Sequence, residues 1–445
     1  MRLAVWSPLP PSPSGIADYV AEQLPLLKQQ ADLRLVVEDP LAVDPAISAV
    51  APLARPGDRI DADLNLYHVG NSPAHAYVYR AALNQPGVVL LHDSNLHHLV
   101  LHETVERGDS AAYLREMRRA YGEAGTFAGR QVARALGGDL LPALYPLNDR
   151  VLERSLGVVG LTQHVCSIAI RRLPGRPVLH LPHHAHLPLH PAPSREEARR
   201  RLGLEAGDFI VTAPGLATAT KRLDVVIRVA ARLLTRGLSL RLVIAGAVDP
   251  KLPLQEWARK AGLGDRLLVT GRVGLEDFVR HLAAADVVVA LRFPSHGEMS
   301  GALVRALAVG RPVLVSSGST PAAELPEGIV VPVDLGPHEE AQMEALLERL
   351  QADRLLRDKI GALARDHVRR HHDREATVSR LAAFLGRVLE RKQELGAAVA
   401  AEDAAEVGLL GYLVGEVRGA ARDLGLPGAH VPLTPLLRDL LGGRP

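Results

Sequence analysis

The chain has 445 residues, too many for one hydrophobic core and enough for two domains of ordinary size with a further tail. Hydrophobic residues make up 47% and charged residues 23%, as in a water-soluble globular protein, and a net charge of +2 creates no general attraction for nucleic acid. Aromatic residues at 3% argue against a base-stacking platform, and one cysteine, Cys166, excludes an intramolecular disulfide and any multi-cysteine metal centre. No apolar run reaches membrane-spanning length and the N-terminus reads as a strand, not a secretory signal, so a cytoplasmic protein is expected.

Residues 2–7 (RLAVWS) predict a first strand, followed by PLPPSPSGIADY. Prolines and serines make that loop rigid, Gly15 relieves it, and an amphipathic helix starts near Ile16. Strand, glycine-bearing loop and helix open a Rossmann-like domain, without the spaced glycines of a dinucleotide fingerprint. Further strands are expected at Leu33–Glu38 and Leu64–Gly70. YHVGNSPAH then places His68, Asn71 and His75 around a strand end. VVLLHDSNLHHLVLH places His92 and Asp93 at the end of a buried strand, with His97, His98 and His102 beyond. A histidine where a parallel strand leaves the core is well placed for hydrogen bonding or proton transfer. His98 and His102 stand four apart and could share a helix face as metal ligands, but no carboxylate completes a motif such as HExxH. His97, His98 and His102 therefore read as structural, and no metal is expected.

Residues 110–155 read as helical, Val158–Leu161 as a strand, and the helix that follows carries Cys166 as a packing thiol. In RPVLHLPHHAHLPLHPAPS five histidines (His180, His183, His184, His186, His190) lie among prolines. A polar linker is the simpler reading and zinc the alternative, and a domain boundary is expected at 195/196, where a helix begins after a Ser194 cap.

The pattern then restarts. Asp208–Ala213 is a strand, and PGLATATKRLDVVIRVAARLL is a loop with Gly215 and a strongly amphipathic helix. Lys221 and Arg222 are expected in its first turn, where the helix dipole disfavours cations unless an anion binds between them, which points to phosphate. Two solvated charges are the alternative. Strands at Leu240–Ala245 and Leu267–Thr270 lead to DVVVALRFPSHGEMSGALVRALAVGRPVLVSS: strand Val287–Ala290, a loop with Gly297 and Glu298, a helix from Gly301 to Val309, and strand Pro312–Ser316. Ser300 is the expected cap, and the glycines let a ligand approach backbone N–H groups at the helix start. Long helices are expected over 337–371 and 374–392. A tail from Ala397 carries helical segments (Val407–Leu424), where GLLGYLVGEV suggests a packing or dimer surface. Alternation of β and α through both halves predicts an α/β protein with two parallel, doubly wound sheets and a cleft.

These motifs, in this order and spacing, resemble the retaining GT-B glycosyltransferases of the family-four group (glycosyl transferases group 1). The resemblance covers roughly residues 1–390 and rests on PLPPSPSGIADY, YHVGNSP, LHDSNLHHL, PGLATATKRLD, VTGRV and RFPSHGEMSGALVRALAVGRPVLVSS. It implies two Rossmann-like domains facing a cleft: an acceptor-side domain at 1–195 and a nucleotide-sugar domain at 196–370. Helices at 371–445 would follow, the first crossing back to the N-terminal domain. It implies transfer of a sugar from a UDP- or GDP-sugar to a glycan, lipid or metabolite acceptor with retention, without metal or cofactor. By the resemblance Lys221 neutralises the leaving diphosphate, Glu298 contacts the sugar and His92 stands at the reaction centre under the Gly15 loop. Gly215, Arg222, Arg272, Val273, Ser300, Gly301 and Arg305 fall on the donor side, Asn71 and Asp93 on the acceptor side. Two departures stand out. Leu216 occupies the position of the family's usual arginine, and Arg305 that of the second of its paired glutamates. A sugar-nucleotide-binding scaffold without catalysis and a sugar-nucleotide epimerase are the competing readings. Peripheral membrane contact and a homodimer through the tail are compatible with the sequence.

Overall fold

A computed structural model describes residues 1–407 and Val417, apart from Gly137, Asp139 and His190. The helical expectation beyond 407, the tail surface and His190 lie outside the described residues. The chain forms two compact units. The first comprises Met1–Leu181, His296–Glu298 and the chain from Val378; the second comprises Pro182–Ser295 and Met299–Thr377.

In the first unit the strands are β1 (Arg2–Trp6), β2 (Asp32–Val36), β3 (Leu53–Ala54), β4 (Leu64–Val69), β5 (Val88–Leu91), β6 (Gly157–Gly160) and β7 (Val178–His180). They make one sheet in the order β3-β2-β1-β4-β5-β6-β7, with every described pairing parallel. Near-continuous apolar runs such as VVLL in β5 suit strands covered on both faces by helices. The second unit carries β8 (Phe209–Pro214), β9 (Leu240–Ala245), β10 (Leu267–Val269), β11 (Val287–Val289), β12 (Val313–Ser316) and β13 (Val331–Val333), in the order β10-β9-β8-β11-β12-β13. Strand order reverses between β1 and β4 in one sheet and between β8 and β11 in the other. Loops leaving the carboxyl ends at such points run to opposite faces, which opens a crevice for ligands.

Local chemistry accounts for the main helices. Ser14 accepts the Ile16 N–H at 3.2 Å and starts Gly15–Leu27; Thr162 accepts the Val165 N–H at 3.2 Å and starts Gln163–Arg172, whose Cys166 is buried. Helix Leu223–Thr235 buries Val225, Val226, Val229, Ala230 and Leu233, each worth about 1.5–3 kcal/mol if large and fully covered. Among the described residues, no helix is long and apolar enough to cross a membrane.

Several expected boundaries move. The division falls at 181/182, not 195/196, because the histidine–proline segment is built into the second unit. His372 Nδ1 donates to the His183 carbonyl at 2.6 Å, the Ala185 N–H donates to the His372 carbonyl at 2.9 Å, and His184 is 1% exposed. A solvated linker could not hold those contacts. The second unit runs to Thr377, not 370, and the return to the first unit falls inside helix Arg374–Glu390, in the stretch expected to make it. From there Val378, Leu381, Phe384, Leu385 and Val388 join the core formed with Leu3, Val5 and Leu33. The helix expected over 337–371 is two, Glu339–Ala352 and Arg354–His371. Asp353 leaves helical geometry between them and accepts the Leu356 N–H at 2.9 Å. The stretch 110–155 is likewise interrupted: Ser110–Ala133 bends at Gly122 (φ 63°), and two short helices, Leu140–Leu144 and Asp149–Glu153, follow.

Candidate functional site

In the first unit, side chains gather at the carboxyl ends of β4 and β5. His92 is the first residue after β5, and its N–H continues the ladder to the Val69 carbonyl at 3.0 Å. Its ring Nε2 lies 3.2 Å from Nδ1 of His68, the penultimate residue of β4. Tyr19, from the first helix, sets its ring edge against His92 with centroids 5.0 Å apart at 87°. His75 Nδ1 donates to the His68 carbonyl at 2.9 Å. Burial pulls His68 down to about 3, with His75 adding to the effect, and His75 down to about 4 despite that bond, so both are neutral at physiological pH. Gly15 is the first residue of its helix, and a side chain there would meet nothing within 4 Å, so the backbone stays approachable.

Asn71 and Asp93 join loops. The Asp93 carboxylate accepts the Asn71 N–H at 3.1 Å, and the Asn71 side-chain oxygen accepts the Leu99 N–H at 3.1 Å in the first turn of helix His97–Glu103. Within that helix, His97 Nδ1 donates to the Tyr145 carbonyl at 2.6 Å and Nε2 pairs with the Tyr113 hydroxyl at 2.7 Å, while His102 meets Glu106 at 2.8 Å. Those bonds suit the structural reading of both histidines.

Residues 296–298 are also held in this unit. The Ser94 N–H and hydroxyl donate to the His296 carbonyl at 3.1 and 2.5 Å, and the Thr162 hydroxyl donates to the Gly297 carbonyl at 2.9 Å. Gly297 has φ 76°, and a Cβ there would lie 2.5 Å from both Ser94 Oγ and the His164 ring, so only glycine fits. The Glu298 carboxylate turns back to accept the His296 N–H at 2.6 Å, and the residue is 9% exposed.

In the second unit, the residues after β8 and β11 form another group. Gly215 (φ 78°) turns the chain away from β8, and the Lys221 ammonium folds beneath it to donate to the Pro214 carbonyl at 2.5 Å. Burial pulls the Lys221 ammonium down to about 7, and the nearby Arg292 guanidinium adds to the shift. Arg292 follows β11 closely; its N–H donates to Ser316 Oγ at 3.0 Å, and the next residue, Phe293, donates its N–H to the Thr220 carbonyl at 2.8 Å. Two cations from different loops are thus held near each other, and no carboxylate pairs with Lys221 among the described residues. Arg292 was not singled out in the sequence, although a basic residue ending DVVVALR was the available signal.

Two expectations fail nearby. Lys221 and Arg222 are not in a helix's first turn: Lys221 closes the short turn Ala219–Lys221, and Arg222, at φ 52°, precedes a helix that begins at Leu223. The Arg222 guanidinium clasps both oxygens of Glu339, which is 3% exposed. Ser300 occupies the cap position of helix Gly301–Ala308, but its hydroxyl makes no capping bond. Arg305 is 8% exposed and donates from Nε to the His186 carbonyl at 3.3 Å. A Cβ on Gly301 would lie 2.9 Å from the His183 ring and 3.0 Å from Arg305 Nη1. Burial pulls His184 down to about 3, helped by Arg305, Arg374, His186 and His372. Exposed Arg272 and half-buried Val273 lie after β10, two strands from β8. Leu216, where the family's arginine would be, is 54% exposed.

Residues 194–367 match the family described as Glycosyl transferases group 1. A D-inositol 3-phosphate glycosyltransferase of Saccharomonospora viridis is 31% identical over 217 residues, 44% of this chain and 49% of that protein. An alpha-D-kanosaminyltransferase of Streptomyces kanamyceticus is 31% identical over 170 residues, 37% and 42% of the two chains. The chain thus spans about half the length of the curated relatives it matches. Among solved structures, Anabaena HepE in complex with UDP and glucose superposes with a TM-score of 0.58 at 13% identity, over 87% of this chain and 99% of that one. The architecture of two Rossmann-like sheets is that of the GT-B fold.

Proposed function

We propose that the protein, whose residues 194–367 match the glycosyl transferases group 1 family, is a glycosyltransferase. It moves a sugar from a UDP- or GDP-sugar to a glycan, lipid or metabolite acceptor, with retention and without metal. The observation that carries this reading is the Lys221 ammonium, held near neutrality by burial and by Arg292 at a strand-order reversal. A diphosphate between the two cations would remove the repulsion and restore the charge on Lys221. The same cations would then stabilise the leaving group as the bond from the anomeric carbon to the diphosphate oxygen breaks and the sugar becomes oxocarbenium-like. The acceptor oxygen bonds to the same face, and its proton passes to the departing phosphate.

In this reading the N–H groups of Ser300 and Gly301 hold a phosphate, Gly215 lets the donor approach the backbone, and Arg272 and Val273 lie towards the base. Arg305, beside Gly301, supplies positive charge on the donor side where the family has a carboxylate. Glu298 contacts the sugar, and His92 serves the reaction centre with Gly15 above it. Asn71 and Asp93 shape the acceptor side by fixing the loops.

Thermal unfolding of the full chain with UDP, GDP, ADP and their sugars tests the reading. A nucleotide at about a hundred times its dissociation constant adds about 2.7 kcal/mol to stability. A shift with UDP or GDP that Lys221→Ala removes, together with release of free diphosphate from the matching sugar nucleotide, is the expected result. A shift without release would favour the non-catalytic scaffold. No shift with any nucleotide would overturn the donor site.

A further inference from the structure

We propose that the second unit carries a binding site for a phosphate-type oxyanion at the amino-terminal ends of β8 and β11, built from Arg195, Arg199, Arg311, Arg357 and Arg365 around Asp286. It is separate from the donor site and does not depend on the glycosyltransferase reading. Roughly 17 Å of β8 lies between Phe209, over whose ring the Arg357 guanidinium stands at 5.8 Å, and Pro214, whose carbonyl holds Lys221.

Asp286 stands immediately before β11, is 5% exposed, and has its carboxylate already engaged. Oδ1 accepts Arg195 Nη1 at 2.7 Å; Oδ2 accepts Arg199 Nη2 at 2.6 Å and the Ile210 N–H at 2.8 Å. Arg357, from helix Arg354–His371, comes only to 3.8 Å from Oδ1, beyond hydrogen-bonding distance, and its side chain is 10% exposed. Its Nη1 donates to the Leu350 and Gln351 carbonyls. Arg311, just before β12, forms no ion pair among the described residues; its Nη2 donates to the Ala283 carbonyl at 2.6 Å. The Nε–H groups of Arg311 and Arg357 are both buried without a hydrogen-bond acceptor. Exposed Arg365 lies against the same turn, where a Cβ on Gly310 would come within 2.8 Å of its side chain.

Local compensation falls short of this charge, because Arg195, Arg199, Arg311 and Arg357 all gather at one buried carboxylate. The Ala283 and Ala284 carbonyls, which accept Arg311 and Arg199, end helix Leu275–Ala284, and such a terminus supplies only about half a unit of negative charge. Glu196 approaches Arg195 at 3.6 Å, but its side chain is 58% exposed; Asp358 meets exposed Arg354, and water screens both pairs. Burial and the repulsion of Arg195, Arg365 and Arg199 pull the Arg311 guanidinium down to about 10, against the attraction of Asp286. Buried N–H donors without an acceptor, beside unbalanced positive charge, suit an anion with several oxygens. A tetrahedral phosphate offers oxygens to Arg311, Arg357 and Arg365 together, and charge-assisted guanidinium–phosphate bonds are about twice as strong as neutral ones. Chloride brings one charge and no fork of acceptors.

The test is thermal unfolding and calorimetric titration of the full chain with inorganic phosphate, pyrophosphate and glycerol 3-phosphate, each against sodium chloride at matched ionic strength. The variants are Arg365→Gln, an exposed position that the fold tolerates, Arg311→Met, and Lys221→Ala to silence the donor site. A rise in melting temperature with an oxyanion but not with chloride, retained in Lys221→Ala, is expected. Affinity should fall about tenfold or more in Arg365→Gln and in Arg311→Met. Tighter binding of inorganic phosphate or pyrophosphate would identify a free anion as the ligand; tighter binding of glycerol 3-phosphate would identify a phosphorylated metabolite. Arg311→Met also separates binding from a structural role: its stability gap from the parent should widen when phosphate is added. A residue that only caps the Ala283 carbonyl would leave that gap unchanged. Arg365→Gln decides alone should Arg311→Met fail to fold. An unchanged gap, an effect of chloride as large as that of phosphate, or an oxyanion shift abolished by Lys221→Ala and untouched by Arg365→Gln overturns the proposal.

Discussion

At the scale of single residues, Lys221 gives the sharpest expectation. Its folded value near 7 lies below the ordinary 10.5, so between those values the unfolded chain binds the proton that the native chain lacks. Stability of the ligand-free protein therefore rises with pH across that window and carries the full cost of a buried ammonium below it. Diphosphate favours the charged form, so above pH 7 binding takes up a proton. Phosphate groups are fully ionised there, their second pKa being about 6, so the ligand contributes no slope of its own. Calorimetric titration of UDP or GDP between pH 7.5 and 9.5 should show affinity falling by up to about tenfold per unit, and Lys221→Ala should be weak and flat. A slope that survives Lys221→Ala would place the titrating group elsewhere. His92 could be singled out in the sequence because it ends an apolar run, and Lys221 because it follows a glycine-bearing loop ahead of an amphipathic helix. The bond from His68 to His92 could not be, since the two are 24 residues apart and only the parallel register brings them together.

At the scale of elements, the helix Leu223–Thr235 shows what the pattern conveys and what it leaves out. Its apolar stripe predicted the buried face, while the chemistry at its start was misjudged. Arg222 adopts a left-handed backbone and pairs with Glu339, the first residue of a helix more than a hundred positions away. The pair fastens two helix starts and is expected to matter for stability alone. Arg222→Ala strands a buried carboxylate and should cost about 2 kcal/mol, below the roughly 3–5 kcal/mol of a fully buried pair because the Arg222 side chain is 27% exposed. Denaturant unfolding measures that loss, and nucleotide affinity should stay unchanged. A fall in affinity with little loss of stability would return Arg222 to the donor site. The break at Asp353 belongs to the same scale. Both flanking helices are amphipathic, and one aspartate that caps its successor was too weak a signal against a continuous helical pattern.

At the scale of the whole chain, the first unit is completed from both ends of the sequence. Phe384 is 3% exposed among residues of the N-terminal sheet, and a Cβ on Gly157 of β6 would lie 3.3 Å from its ring. Phe384→Ala should therefore cost about 3–5 kcal/mol. A chain ending at Thr377 should lose the fold of the first unit even though it retains all of residues 194–367. Limited proteolysis would check this: rapid loss of 1–181 with a surviving core from the second unit is expected, and a protected first unit would refute it. Taken by itself, the amino-acid sequence determined the two β/α halves, their buried strands and most strand-end polar residues. Apolar periodicity and glycine-bearing loops are local properties that survive without tertiary context. The tertiary structure alone decided which polar residues meet. It gave Arg222 to Glu339, built His183 and His184 into the second unit, and set Arg292 near Lys221 and His68 against His92. The physical reason is that buried charges and imidazoles are settled by the partners that packing supplies, and those partners are remote in sequence.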